Sequence, residues 1–175
     1  ATLKARGDCP FIAIPVFPSR FFRHSCIYVN AEAGIEGPKD LQGKRVGVPE
    51  YQLTAAVFVR GMLKHEYSVG AEDVRWFWGG QEKSGRIGAI TYQLPERIRL
   101  QEIPVGKTLA AMLEAEELDA LITPNMPSCF VRGSQKIKRL FPNYKQMEID
   151  YFKRTRIFPI MHTVVIRKDI YDQHP

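Results

Sequence analysis

Lys44-Arg-Val-Gly-Val-Pro-Glu-Tyr-Gln-Leu-Thr-Ala-Ala-Val-Phe-Val-Arg-Gly-Met-Leu-Lys-His65 decides the fold class. Lys44 to Val48 reads as a short strand. After it, Ala55, Phe58, Val59, Met62 and Leu63 fall at i, i+3, i+4, i+7 and i+8, which is one apolar face of a helix. Pro49 and Glu50 suit the start of that helix. Lys64 and His65 suit its end, where cations meet the negative pole of the helix dipole.

The same alternation continues on either side. Downstream, Val74 to Trp78 reads as a strand ended by Gly79-Gly80, and Arg99 to Ile103 as another. Leu109 to Leu113 belongs to a helix, and Ala120 to Thr123 is the strand after it. Ile137 to Phe141 reads as a short helix ended by Pro142. Phe158 to Arg167 reads as a long apolar strand. Upstream, Phe11 to Phe17 reads as a buried strand with Pro15 near an edge or bend, and Ser25 to Asn30 as a second. Strands alternating with helices predict an α/β fold with a mainly parallel sheet flanked by helices. Gly79–Gly88 and Pro124–Ser134 are the longest loops rich in Gly, Pro and Ser. Ligands of such sheets bind at the carboxyl ends of the strands. Glu50–Thr54, Gly79–Glu82 and Thr123–Ser128 are therefore expected close together.

The composition fits one folded chain of ordinary kind. Of 175 residues, 45% are hydrophobic and 25% charged, which excludes a disordered or fibrous protein. No run approaches the roughly 18 apolar residues that a membrane helix needs. Phe11–Phe17 is too short for one, and no small-residue cleavage site makes it a signal peptide. Cys9, Cys26 and Cys129 are odd in number and share no C-x-x-C spacing, which argues against a disulfide framework or structural zinc. The net charge of +6 permits an anionic ligand without demanding nucleic acid. Between Arg132 and Lys145 five cations stand with no acid, and the plain reading is a solvated helix face. The run lacks the aromatic platform that single-stranded nucleic acid needs.

Two segments resemble type II periplasmic-binding-protein folds: Asp40-Leu-Gln-Gly-Lys-Arg-Val-Gly-Val48, similar to D-L-x-G-K-x-V-G-V, and Leu113-Glu-Ala-Glu-Glu-Leu-Asp-Ala-Leu-Ile122, similar to L-x-x-G-E-L-D-A-L-I. Three more are similar to the 4,5-dihydroxyphthalate decarboxylase family. They are Pro15-Val-Phe-Pro-Ser-Arg-Phe-Phe-Arg-His24, Ala120-Leu-Ile-Thr-Pro-Asn-Met-Pro127 and Phe158-Pro-Ile-Met-His-Thr-Val-Val-Ile-Arg167. The resemblance covers essentially the whole chain but not the whole family protein. It implies a first hinge strand with a remnant of lobe one over 1–24, lobe two over 25–157, and a second hinge strand over 158–175. The family commonly has glycine where Glu116 stands, so a positive φ is expected there.

The resemblance implies a cytoplasmic carboxy-lyase that converts 4,5-dihydroxyphthalate to 3,4-dihydroxybenzoate and CO2 by acid–base chemistry in an interlobe cleft. Its expected partner is a small aromatic carboxylate, with neither nucleic acid nor membrane involved. No redox step occurs, so no cofactor is expected, and no H-x-x-x-H or H-E-x-x-H spacing supports a metal. Arg20, Arg23 and Arg156 are candidate carboxylate clamps, since a guanidinium fork matches a carboxylate. Tyr51, Gln52 and Thr54 lie at an expected helix start, whose free N–H groups favour anions. Thr123 and Asn125 lie at a strand end. His24 and His162, in the hinge segments, are the candidate acid–base pair, because histidine titrates near neutral pH. The rival expectation is a solute-binding protein that delivers an aromatic or sulfonate anion to an ABC importer.

Overall fold

The computed structural model describes residues 7, 9–85 and 94–174. Its strands are β1 Phe11–Ala13, β2 Ser19–Arg20, β3 Ile27–Asn30, β4 Arg45–Val48, β5 Arg75–Trp78, β6 Arg99–Glu102, β7 Ala120–Ile122, β8 Ile137–Arg139, β9 Ile160–His162 and β10 Val165–Arg167. Its α-helices are α1 Thr54–Tyr67, α2 Leu109–Glu114, α3 Ser128–Val131, α4 Tyr144–Thr155 and α5 Lys168–Gln173. Six strands form one sheet in the order β6-β5-β4-β7-β3-β8. β4 pairs in parallel with β5 and β7, and β5 with β6. β3 runs antiparallel to both β7 and β8. The sheet is thus mainly parallel, with one strand reversed. β3 enters from the segment before it rather than across a strand–helix crossover, so nothing obliges it to run with its neighbours.

Burial follows the sequence pattern closely at the centre. All of β3 and β7 and the two valines of β4 are buried. At Gly47 a Cβ would meet the Leu118 side chain at 2.9 Å and that of Leu109 at 3.1 Å, so the strand lies too close to its covering layer for any side chain. On one face α1 buries Ala55, Ala56, Val59, Met62 and Leu63. Phe58 is only half-buried, and Ala56, outside the predicted stripe, is buried, so the buried face is turned toward the Ala56 side. On the other face Leu109, Ala110, Met112 and Leu113 of α2 pack with Leu118, Leu121 and Tyr28. α1 starts at Thr54, several residues later than Pro49 and Glu50 suggest. It ends at Ser68, whose left-handed φ of 59° lets its N–H reach Lys64 O at 3.2 Å while Val69 N–H reaches Leu63 O at 3.0 Å.

The structure corrects four expectations. Phe11–Phe17 is not a buried strand. β1 covers only Phe11–Ala13, and Phe11 and Phe17 are exposed. Phe158–Arg167 is two strands, paired as β9 with β2 and β10 with β1 in separate two-stranded ribbons, in which Met161 is buried but most other residues are exposed or half-buried. Ile137–Arg139 is an edge strand against β3 rather than a helix. Finally, the cations from Arg132 onward do not share one helix face. Arg132, Lys136 and Lys138 pair with Glu114, Glu116 and Glu36, and the Arg139 guanidinium lies 4.9 Å from the rings of both Phe130 and Tyr144.

Glu116 has φ 62°, as its place just past α2 leads one to expect. A non-glycine held there is strained by roughly 1 kcal/mol. What the side chain gives back is an exposed pair with Lys136 Nζ at 2.8 Å, of the kind that contributes little. Glu116→Gly is therefore expected to stabilise the chain by a few tenths to roughly 1 kcal/mol, read as a small rise in thermal midpoint. A midpoint unchanged or lowered would show that the Lys136 pair outweighs the strain.

Candidate functional site

β4, β5 and β7 run in parallel, so their carboxyl ends lie on one side of the sheet, and the loops leaving them meet there. Pro49, Glu50 and Leu53 come from the first, Gln81 to Gly85 from the second, and Pro124, Asn125 and Met126 from the third. Between them is a cavity of about 650 Å³. This is the crevice expected from strand order alone.

A chain of hydrogen bonds fixes the three loops to one another. Thr123 is fully buried, and its hydroxyl donates to Gln81 Oε1. Gln81 Nε2 donates to Glu82 Oε1 at 3.0 Å and to the Asn125 carbonyl at 3.3 Å. The Asn125 N–H returns to Thr123 Oγ1 at 3.3 Å, and the Ser128 N–H donates to Glu82 Oε1 at 3.0 Å. The carbonyls of Gly80 and Gln81 accept the N–H groups of Leu109 and Ala110 at the start of α2. Gly80 is indispensable to this turn, because a Cβ there would lie 1.7 Å from the Lys83 carbonyl oxygen. Burial pushes the Glu82 carboxyl up, but hydrogen bonds from Ser128 and Gln81, with the Arg132 cation, outweigh it and hold its pKa below the usual range. Across the cavity, Gln52 Nε2 donates to Glu50 Oε1 at 2.6 Å.

The sequence-predicted residues divide into two groups. Thr123, Asn125, Gln52 and Thr54 lie in or beside the cavity: Asn125 lines it, Thr123 and Gln52 hold its walls, and Thr54 follows Leu53 as the first residue of α1. Tyr51, next in sequence to Glu50, turns into the core. Its ring meets Trp76 edge-on at 5.5 Å, the Arg60 guanidinium lies 3.8 Å from its centroid, and burial raises its hydroxyl pKa.

Arg20, Arg23, Arg156, His24 and His162 are not among the residues lining the cavity. Arg20 is exposed on β2, 5.4 Å from the ring of Phe17 and 5.7 Å from that of Phe158. Arg23 Nε lies 2.9 Å from Met161 Sδ, its guanidinium 5.0 Å from the Phe21 ring. Arg156 is exposed and ends α4 with φ 60°. His162 is exposed at the end of β9, opposite Ser19. His24 is 2% exposed, edge-on to Phe141 at 5.4 Å and to Tyr151 at 5.5 Å. Its Nδ1 is 4.0 Å from Glu148 Oε1, and both buried atoms have no hydrogen-bond partner. Burial lowers its pKa to about 4, with Glu66 opposing and Arg154 reinforcing. Among the described residues, no three His, Cys, Asp or Glu side chains converge as a metal would require. The sequence places Gly79–Glu82 at the crevice, but it singles out neither Gln81 nor Lys83. The available signal was the polar run immediately after Gly79-Gly80 at a strand's end.

The cavity lies at the carboxyl ends of the parallel strands, the place where α/β units bind small molecules. In sequence the chain is 49% identical, over 171 residues and 98% of its length, to the 4,5-dihydroxyphthalate decarboxylase of Comamonas testosteroni. It is 46% identical, over 149 residues and 85% of its length, to that of Pseudomonas putida. These two relatives support its assignment to the 4,5-dihydroxyphthalate decarboxylase family. The chain spans about half the length of those relatives, 52% and 58%. No protein-family model matches it. Among solved structures, the periplasmic aliphatic sulphonate binding protein of Escherichia coli aligns with a TM-score of 0.46 at 14% identity, covering 79% of this chain and 38% of that one. The second substrate binding domain of a putative amino acid ABC transporter from Streptococcus pneumoniae aligns at 0.36 and 13%, covering 78% and 54%. At such scores neither bears on the fold, which stands on its strand order and register. No described helix is long and apolar enough to cross a membrane.

Proposed function

We propose that this chain is part of a cytoplasmic enzyme that decarboxylates 4,5-dihydroxyphthalate to 3,4-dihydroxybenzoate and CO2. The observation that carries the reading is the 49% identity to a curated decarboxylase along nearly the whole chain. In this reading 25–157 is one lobe of a type II binding-protein-like fold, with hinge strands over 1–24 and 158–175. The bond from ring to carboxylate breaks, CO2 leaves, and the electron pair stays on the ring carbon, which takes a proton. The reaction is redox-neutral and needs no organic cofactor. A hydroxyl para to the leaving carboxylate makes the ring electron-rich once its proton is withdrawn or shared. Arg20, Arg23 and Arg156 hold the carboxylates, while Gln52 and Thr54 contact the other end of the substrate beside the cavity. His162 delivers the proton to the ring carbon. His24, buried and neutral, acts as a positioning residue for the segment that carries Arg20 and Arg23.

The test uses the whole gene product with 4,5-dihydroxyphthalate, once in chelator and once with added divalent metal. Release of CO2 at equal rates in both is expected. His162→Ala should lower kcat far more than it changes KM, because the lost group acts as the proton moves. Substrate recovered unchanged but tightly bound under both conditions would overturn the enzyme reading and favour a solute-binding protein of an importer.

A further inference from the structure

We propose that the cavity receives the two vicinal hydroxyls of the substrate ring, with the carboxylates of Glu50 and Glu82 as their acceptors and the substrate's own carboxylates directed away from it. The proposal rests on the decarboxylase reading and says which end of the substrate this chain recognises.

The first argument is charge. Among the described residues, the charged side chains lining the cavity are Glu50, Glu82 and Lys83, two anions and one cation, with no arginine. A phthalate carboxylate pair seated here would face two like charges at short range, which disfavours its ionised form and its binding. Hydroxyls have the opposite need. Each is a donor seeking an acceptor, and an ionised carboxylate is an acceptor only. An O–H to carboxylate bond is among the stronger neutral-to-charged hydrogen bonds.

The second argument is preparation. Glu82 is held by the Gln81 amide and the Ser128 N–H, and Gln81 is held in turn by the buried hydroxyl of Thr123. Glu50 is held by Gln52. Acceptors anchored from behind need no reorganisation when a donor arrives. The remaining walls, Pro49, Leu53, Pro124 and Met126, offer apolar contact to a flat ring. The volume of about 650 Å³ lies within the range of small-molecule pockets.

The third argument is chemical economy. A carboxylate that accepts the hydroxyl para to the leaving group also draws its proton away and enriches the ring. Recognition and activation of the hydroxyl end then fall to the same two side chains. Such a site discriminates strongly against an analogue without the hydroxyl, because its anchored acceptors would be left unpaired.

Calorimetric titration of the whole protein with 4,5-dihydroxyphthalate and with phthalate tests this directly. The dihydroxy compound is expected to bind on the order of 10–100-fold more tightly. Glu82→Gln keeps an oxygen to accept the Ser128 N–H but removes the charge. It should weaken the dihydroxy compound, leave phthalate unchanged or tighter, and so shrink the preference. A catechol chromophore, 4-nitrocatechol, gives a second readout, because its visible band moves to the red as its hydroxyl proton is drawn away. That shift should appear with the native protein and be lost in Glu50→Gln and Glu82→Gln. Equal binding of both phthalates, or equal weakening of both by Glu82→Gln, would overturn the proposal while leaving the decarboxylase reading in place. Binding of neither phthalate, together with a Glu82-dependent shift of nitrocatechol, would overturn the substrate reading and support the hydroxyl site. Binding of neither and no shift would overturn both.

Discussion

Thr123→Val is expected to destabilise the folded chain by about 2 kcal/mol and to lower kcat/KM of the proposed decarboxylation, assayed on the whole gene product, on the order of 10–100-fold. The substitution is close to isosteric, so packing in the fully buried end of β7 is little disturbed. What it removes is one hydroxyl with two duties. That hydroxyl donates to Gln81 Oε1 and accepts the Asn125 N–H. Without it the amide oxygen of Gln81, itself only 8% exposed, has lost its donor. A buried polar group so stranded costs about 1–3 kcal/mol, more than the bond itself contributes. For a chain of this length that is a fall in thermal midpoint of roughly 4–8 °C. The activity loss has a separate route, because Gln81 also holds Glu82 and the Asn125 carbonyl. The double variant Thr123→Val/Gln81→Met separates the two. With both polar partners replaced, stability should recover most of what was lost. Activity should not recover, since Glu82 has still lost its anchor. If stability and activity recover together, the network serves the fold and not the site.

The centre of the fold was legible because the residues there answer to one requirement each. Val46 and Val48 are buried on one face of a parallel strand whose other face, at Gly47, is closed by Leu109 and Leu118, and such doubly covered strands read as short apolar runs. The α1 face was legible from its 3.6-residue period. The cavity followed from topology, since parallel strands put their carboxyl ends on one side. The failures have the same kind of cause. Ile137–Arg139 is too short for a period to tell strand from helix. α4 has no buried residue and so carries no clear apolar stripe to find. The ribbons around Phe11 and Phe158 looked like buried strands because they are apolar, yet Phe11, Phe17, Phe21 and Phe158 are all exposed. Apolar composition signals a partner surface, not which surface covers it. In the site, Thr123 and Asn125 could be named from a strand end. Gln81 could not, because its role depends on the hydroxyl of Thr123, 42 residues away in sequence.

Acidification from pH 7.5 to pH 4.5 is expected to strip the folded chain of about 2–3 kcal/mol through His24 alone. Its burial among Phe141, Tyr151 and Glu148 penalises the charged form and lowers its pKa from 6.5 to about 4. An unfolded chain leaves that imidazole in water, where it takes a proton near pH 6.5. Between these values the unfolded state binds more protons, so stability falls as pH falls, and the fall levels off below about pH 4. The neighbours set how far the effect goes. Glu66, ion-paired with Arg154, favours the imidazolium, and Arg154 opposes it. Burial raises the pKa of Glu148, against backbone hydrogen bonds from Ser25 and His24 and the Arg23 charge, so that carboxyl works in the opposite sense. Its folded form is favoured at low pH and loses that advantage as pH rises, which makes the observed slope shallower than His24 alone would give. Asp119, held ionised against burial by Arg45, adds its own loss only below the carboxylate range, clear of this window. Urea denaturation at pH 7.5, 6.5, 5.5 and 4.5 measures the slope, and His24→Phe keeps the aromatic contacts while removing the titrating group. The variant should lose the decline between pH 6.5 and 4.5 and show instead the opposing trend of Glu148. A variant whose stability declines over that range as steeply as the native chain would show that another group drives the acid sensitivity, and that the buried imidazole is not the proton acceptor on unfolding.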